Sequence, residues 1–257
     1  MKISRLLGGA LLAGALAASG EARAEGAPAP AATAIPYQSP QNFALELRFS
    51  PYYPEVDDEP GLRGTPFKDR FGDSARVYAG LELDWQALRI PHLGSLGPGL
   101  AIGKVGMSRN ATTVKTHRPS GDSYSLDIYP IALNAVLRAD VLWRDLGLPI
   151  VPYAKLGVGL GLWKSSNSGG TSKTQLTGES KPVKGEGKTL GTNVAIGAAF
   201  ALDAIDRGAS RNMDAAIGIN NTYVYAEYYW LNLNGLGATD ALYVGTKTWA
   251  AGLAFEF

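Results

Sequence analysis

The stretch Phe43-Ala44-Leu45-Glu46-Leu47-Arg48-Phe49-Ser50 alternates without a break. Successive side chains of an extended chain point to opposite sides, so Phe43, Leu45, Leu47 and Phe49 share one face and Ala44, Glu46, Arg48 and Ser50 the other. That is a strand with one greasy and one polar side. The pattern returns in Arg76 to Arg89, where Val77, Ala79, Leu81, Leu83 and Trp85 oppose Tyr78, Gly80, Glu82, Asp84 and Gln86. It returns again in Ala154 to Leu162 against Lys155, Gly157, Gly159 and Gly161, and in Val194 to Leu202 against Asn193, Ala195, Gly197, Ala199 and Ala201. The chain ends on it: Trp249, Ala251, Leu253, Phe255 and Phe257 oppose Thr248, Ala250, Gly252, Ala254 and Glu256.

Three further segments complete a set of about eight. Leu100 to Ser108 is Gly-rich, and its alternation does not decide where Lys104 points. Ser123 to Leu142 changes phase: Tyr124, Leu126 and Ile128 share a face, then Ile131, Leu133, Ala135, Leu137 and Ala139 do, which predicts a bulge at Pro130. Met213 to Trp230 shifts near Asn220 and Asn221 so that Glu227 stays on the polar face. The connections alternate in length. Pro51 to Ser74, Arg109 to Asp122, Lys164 to Thr189 and Leu231 to Asp240 are long, whereas Ile90 to Pro98, Trp143 to Pro149 and Ala204 to Asn212 are tight.

At 257 residues with a net charge of +1 and scattered basic residues, one domain is the better prior, and nucleic acid is not an expected partner. The absence of cysteine excludes a disulfide framework, a thiolate metal site and a lipidated N-terminal Cys. Lys2 and Arg5, the apolar run Leu6 to Ala18 and Ala22-Arg23-Ala24 have the three parts of a secretory signal, with cleavage after Ala24. Residues 25–41 are a Pro/Ala-rich tether, and the barrel occupies 42–257. After the first twenty residues no apolar run approaches the ~18 that a membrane helix needs, so any span must be a strand.

Lipid offers backbone groups no hydrogen bonds, and among β structures only a closed sheet escapes that penalty. The expected fold is all-β: a transmembrane antiparallel up-and-down barrel of about eight strands. A soluble lipocalin-like barrel would show the same period with its apolar side turned inward. Three features favour lipid outside: aromatic residues (Trp85, Phe200, Trp249, Phe257) on the apolar faces, mid-strand charges on the opposite faces, and loops of alternating length. Glu46, Arg48, Glu82, Asp84, Asp127, Arg138, Asp140, Lys155 and Glu227 are then expected to face the lumen. An eight-stranded barrel has little room inside, so these mixed charges should pair and plug it. Lys247 breaks the pattern by sharing the face of Trp249.

The closing "TWAAGLAFEF", with Trp249, Ala251, Leu253, Phe255 and a terminal Phe257 at every second position, resembles the C-terminal signal of outer-membrane proteins read by the barrel-assembly machinery. The segment "SPQNFALELRFSPYYPEVD", Ser39 to Asp57, resembles the opening of an uncharacterised family of outer-membrane barrels from myxobacteria and their relatives. These resemblances imply a cell outer-membrane location, with outer-membrane lipid and lipopolysaccharide as surroundings and the assembly machinery as a partner. They imply no residue-level activity.

Catalytic chemistry has few candidates. His92 falls in a turn and His117 in a loop, without metal-ligand spacing, and Ser120, Asp122 and Ser123 beside His117 are residues that turns use. The acidic run Glu55, Asp57, Asp58 and Glu59 reads as a solvated loop before it reads as a Ca²⁺ site. Gly157, Gly159 and Gly161 form GxGxG inside a strand with no helix after it, so they read as small lumen residues and not as a phosphate loop. No cofactor and no enzymatic activity are expected. The leading expectation is a structural or surface-interactive barrel; the alternatives are a narrow porin-like channel and a lipid-modifying enzyme at the rim.

Overall fold

The computed structural model describes residues 41–112, 119–175, 182–238 and 241–257. The expected signal peptide, all but the last residue of the tether, and His117 lie outside the described residues. Eight strands run up and down in chain order: β1 (Phe43–Tyr52), β2 (Arg76–Trp85), β3 (Gly94–Thr112), β4 (Pro119–Arg138), β5 (Ile150–Asn167), β6 (Glu186–Ala201), β7 (Asn221–Asn232) and β8 (Thr246–Glu256). Each pairs antiparallel with its neighbours, and β8 pairs back onto β1, which closes the ring.

The registers set the barrel's proportions. From Leu45 the paired residues run through Leu83, Leu100, Leu133, Val158, Thr192 and Asn232. The β7–β8 register then leads to Gly245, whose carbonyl accepts from the Glu55 amide, ten residues beyond the start. With eight strands, a stagger of that size tilts them by roughly 40° and gives a backbone radius of about 8 Å. Side chains fill a bore that narrow.

The strands are unequal. β3, β4, β5 and β6 have 19, 20, 18 and 16 residues, against 10 to 12 for the other four. The excess lies mainly at the end carrying the β1–β2 and β7–β8 loops, where Val105–Thr112 runs past the last β2 partner at Lys104. One wall therefore rises roughly 20 Å higher than the other. The expected loops Arg109 to Asp122 and Lys164 to Thr189 are in large part this wall.

Two sequence expectations are corrected here. No bulge forms at Pro130: the β4 register is continuous across it on both sides, and the one irregularity against β3 lies between Asn110 and Thr112. Met213 to Ile219 is not strand. It belongs to the opposite, turn end of the barrel, where helix α3 (Arg207–Ile217) joins β6 to β7. Asp206 begins this helix by accepting the Gly208 amide at 2.9 Å, the usual role of Asp at a helix start.

Small lumen residues make room for large ones. A Cβ on Gly103 would sit 2.4 Å from the ring of Tyr78, and one on Gly80 would meet the same ring. Tyr78 is thereby laid against Tyr52, with ring centroids 6.0 Å apart. Gly103→Val should cost about 1–3 kcal/mol through overpacking. Adding Tyr78→Ala should recover part of that loss in urea titrations of the refolded barrel; equal midpoints for parent and Gly103→Val would refute the close fit.

Candidate functional site

Lys155, on the inner face of β5, lies 2.7 Å from Glu46, 2.6 Å from Glu82 and 3.3 Å from Glu227. These carboxylates come from β1, β2 and β7, so one ammonium ties together four strands. Arg48 donates to both Glu82 and Glu227, and Arg138 donates to Glu46 and, at 2.6 Å, to Asp84. Glu46 and Glu82 are fully buried and Lys155 is 2 % exposed.

Four carboxylates thus meet three cations, and neutral donors supplement them. Asn134 donates to Glu82 at 3.0 Å, Asn193 to Asn134 at 2.9 Å, and the Tyr153 hydroxyl to Glu227 at 3.1 Å. Nearer the turn end, Glu256 accepts from Gln86, Asn221 and Tyr223. Burying charge without partners costs several kcal/mol per ion, and this mutual hydrogen bonding offsets that cost. Each of the seven charged members is at most 5 % exposed, so the network is packed within the bore.

Seven of the nine expected lumen charges belong to this network, and two do not. Asp127 lies on the outer face of β4, its side chain 33 % exposed, 3.4 Å from Lys104 on β3. Alternation is unbroken through Pro130, so Leu126 and Ile128 point inward and Asp127 must point out. Asp140 lies beyond the end of β4, at the start of helix α2 (Val141–Arg144), where it pairs with Arg89 and, at 3.6 Å, with Arg144. It belongs to the turn-end rim. Lys104, left undecided by the sequence, faces outward, as does Lys247, which pairs with Glu55 at 3.1 Å.

The network also holds Asn134, Asn193 and Tyr153, and a second lumen cluster nearer the turn end holds Gln86, Tyr223 and Glu256, none of them among the nine expected residues. Reading neutral polar and phenolic residues on the same faces as the charges finds all but Glu256, which the alternation of the last strand already places on its polar face. The row Tyr223, Tyr225, Glu227, Tyr229 is visible in the period-two spacing of β7.

Above the charges, toward the loop end, the lumen turns apolar. Val105, Met107, Leu126 and Ile128 line the inner face of the high wall, and Phe67 and Phe71 pack among them. Both phenylalanines come from helix α1 (Pro66–Phe71) in the β1–β2 loop. Asp57 anchors that helix by accepting the amides of Phe67 at 2.7 Å and Lys68 at 2.9 Å. From the other side Leu233 and Val244 of the β7–β8 loop descend against Gly159 and Gly161, where a Cβ would come within 2.8 Å of them. The glycines of β5 are therefore packing sites, as their spacing suggested.

The exterior is the reverse of the bore. Leu156 is 65 % exposed, Ile196 60 %, Val158 58 % and Leu133 55 %, and Trp85, Trp249 and Phe49 stand in the same outer belt. A soluble protein does not leave so continuous an apolar girdle to water while it buries its ion pairs. The chain is a transmembrane β-barrel. No protein-family model matches it, and none of the curated proteins does.

Solved structures similar to it include three small membrane barrels. OprG from Pseudomonas aeruginosa is 12% identical, with 87% of this chain and 99% of that one covered and a TM-score of 0.43. The N-terminal barrel domain of OprF from the same organism is 11% identical, with 84% and 98% covered and a TM-score of 0.41. Ail from Yersinia pestis is 13% identical, with 84% and 97% covered and a TM-score of 0.40.

Among the described residues no group of acidic or histidine side chains has the arrangement of a metal site. In the acidic run, Glu55 and Asp57 are engaged with Lys247 and with α1. Ser120 and Ser123 lie within or beside β4 hydrogen bonds, Ser120 accepting the Asp122 amide at 3.1 Å. His92 is exposed at a turn-end corner with φ 58°, 4.0 Å from Asp145.

Proposed function

We propose that this barrel is an outer-membrane protein of a Gram-negative envelope that acts through its outer surface, neither conducting solute nor catalysing a reaction. The observation that carries this reading is the occupied bore, a buried ion-pair network beneath a cluster of packed apolar side chains, under a wall raised on one side. Material that cannot pass through can only be met from outside. The loop end then faces the exterior, and the β1–β2 loop and the β5–β6 hairpin, which includes much of Lys164 to Thr189, are the contact surfaces. The outward row Trp249, Ala251, Leu253, Phe255 and Phe257 on β8 serves as the signal for the barrel-assembly machinery, with residues 1–24 as the export address. The likeness of Ser39 to Asp57 to the myxobacterial barrels supports this location.

Single-channel recording from the purified barrel in planar bilayers tests the sealed bore. The expected trace stays at the baseline of the empty bilayer across ±100 mV. Reproducible unitary steps would overturn the reading and make the protein a channel.

A further inference from the structure

The two ends of the barrel finish differently. At the loop end the first outward residues above the belt on β3, β5, β6 and β8 are Lys104, Lys164, Lys188 and Lys247. At the turn end the three connections, residues 86–93, 139–149 and 202–220, contain no lysine and present aliphatic side chains instead. Ile205 is 75 % exposed, Ile217 68 % and Leu146 66 %, and Leu88 and Leu148 are exposed as well. Single exposed apolar residues are ordinary, but these adjoin a surface already turned to lipid. Ile150 and Phe200 pair at the lower edge of the belt. Just beyond them the Ala201 amide donates to the Pro149 carbonyl at 2.9 Å, which ties the β4–β5 turn to the start of the β6–β7 connection. Leu88 pairs with Leu96 of β3 and extends the outer face on another side of the ring.

Helix α3 is amphipathic. At 3.6 residues per turn Met213, Ala216 and Ile217 share one side, and Arg211 and Asp214 the other. Polar groups fix it to the barrel. The Ser210 hydroxyl donates to the Asn220 carbonyl at 3.3 Å, and in the turn before the helix Asp203 accepts the Thr222 amide at 3.2 Å. Ala216 and Ile217 are left exposed. Arg144, Asp145 and Arg211 stand exposed among the aliphatics, a mixture that suits the layer where headgroups meet acyl chains and not the hydrocarbon centre. The apolar residues are also spread over three connections around the ring. Contact with a sheet of lipid accounts for that spread, whereas a single docked protein would call for one compact patch.

We infer that the turn-end rim is immersed in the headgroup layer of the periplasmic leaflet, with α3 as an interfacial helix and Ile205 and Ile217 anchored among the first acyl carbons of its phospholipids. This rests on the lipid-facing belt and, for the choice of leaflet, on the outer-membrane location proposed above.

The chain has no cysteine, so single cysteines can carry a depth probe. Ile205→Cys, Ile217→Cys and Leu148→Cys variants of the full barrel, each labelled with an environment-sensitive fluorophore, are placed in nanodiscs of phosphatidylethanolamine and phosphatidylglycerol, which leave both ends open to the buffer. All three labels should be quenched by lipid spin-labelled near the headgroup. They should also be several-fold less sensitive to aqueous iodide than a label at Ala215→Cys, on the opposite, exposed side of α3. Labels at 205 and 217 that iodide quenches as strongly as the one at 215 would overturn the inference. Protection from iodide without quenching by the lipid would overturn it too, by placing those side chains against protein. A Leu156→Cys label reports the belt independently and should be quenched by lipid spin-labelled deep in the chain. If it is not, the transmembrane reading itself fails; if it is, and the labels at 205 and 217 are wet, only the interfacial anchor fails.

Discussion

Lys155→Met should unfold the barrel at markedly lower denaturant concentration, with a loss of about 3–5 kcal/mol. The size follows from what the substitution leaves behind. Met fills most of the lysine's volume, so packing is little disturbed, but Glu46, Glu82 and Glu227 lose the ammonium they share. Only Arg48 and Arg138 then remain to answer four buried carboxylates. Removing one partner of a buried ion pair is costly because the stranded charge keeps its desolvation penalty. A second substitution, Glu227→Gln, in the Lys155→Met background should recover part of the loss, since it removes one stranded charge. Urea titration with the gel shift between heated and unheated samples as readout measures both; a midpoint unmoved by Lys155→Met would show that the pairs contribute nothing to stability.

Leu156→Arg, one residue further along β5, should cost about 2–4 kcal/mol for the opposite reason. Leu156 is 65 % exposed on the outer face, midway between Ile150 near the turn end and Lys164 above the belt. In water, an exposed leucine replaced by arginine changes stability by roughly half a kcal/mol or less. In a bilayer the guanidinium must be held at the depth of the acyl chains. Unfolding measured in phospholipid vesicles should therefore show the full penalty, and a shift near zero would mean that the outer belt does not face lipid. Neighbouring residues on one strand thus make contrary demands: a charge is required at 155 and excluded at 156.

Much of this was legible in the amino-acid order, because a lipid-facing barrel wall imposes period two wherever it crosses the membrane. The paired faces of β1, β2, β5, β6 and β8 follow from that period alone. The failures fall where the membrane ends. On β4 the sequence rule treats the apolar face as the lipid face throughout, but above the bilayer the outside meets water and the inside meets Phe67 and Phe71. The inner face is then the greasy one. The apparent phase change at Pro130 is this reversal of surroundings along a straight strand, and it sent Asp127 to the wrong side. Asp140 lies at the rim because the extended alternation stops at Arg138 and a helix begins beyond it. Met213 to Ile217 reads as strand because the large apolar residues of that helix, Met213 and Ile217, are too few to separate helical from extended spacing by themselves. The phenols of β7 follow the same period but carry no formal charge, so a reading by charge alone passes over them.

The lysine hub also resolves an ambiguity that the greasy exterior leaves open. Sliding a strand by one residue turns every side chain to the wrong face, but sliding it by two restores inside and outside and moves each inward group by only about 7 Å. Lipid would not distinguish such a misaligned ring, whose circuit would close eight or twelve residues along in place of ten. The ammonium of Lys155 would, because its three acceptors sit on strands that are distant in the chain and coincide in only one alignment. The buried charges therefore act as the keyway of the assembly, selecting among registers that lipid treats as equivalent.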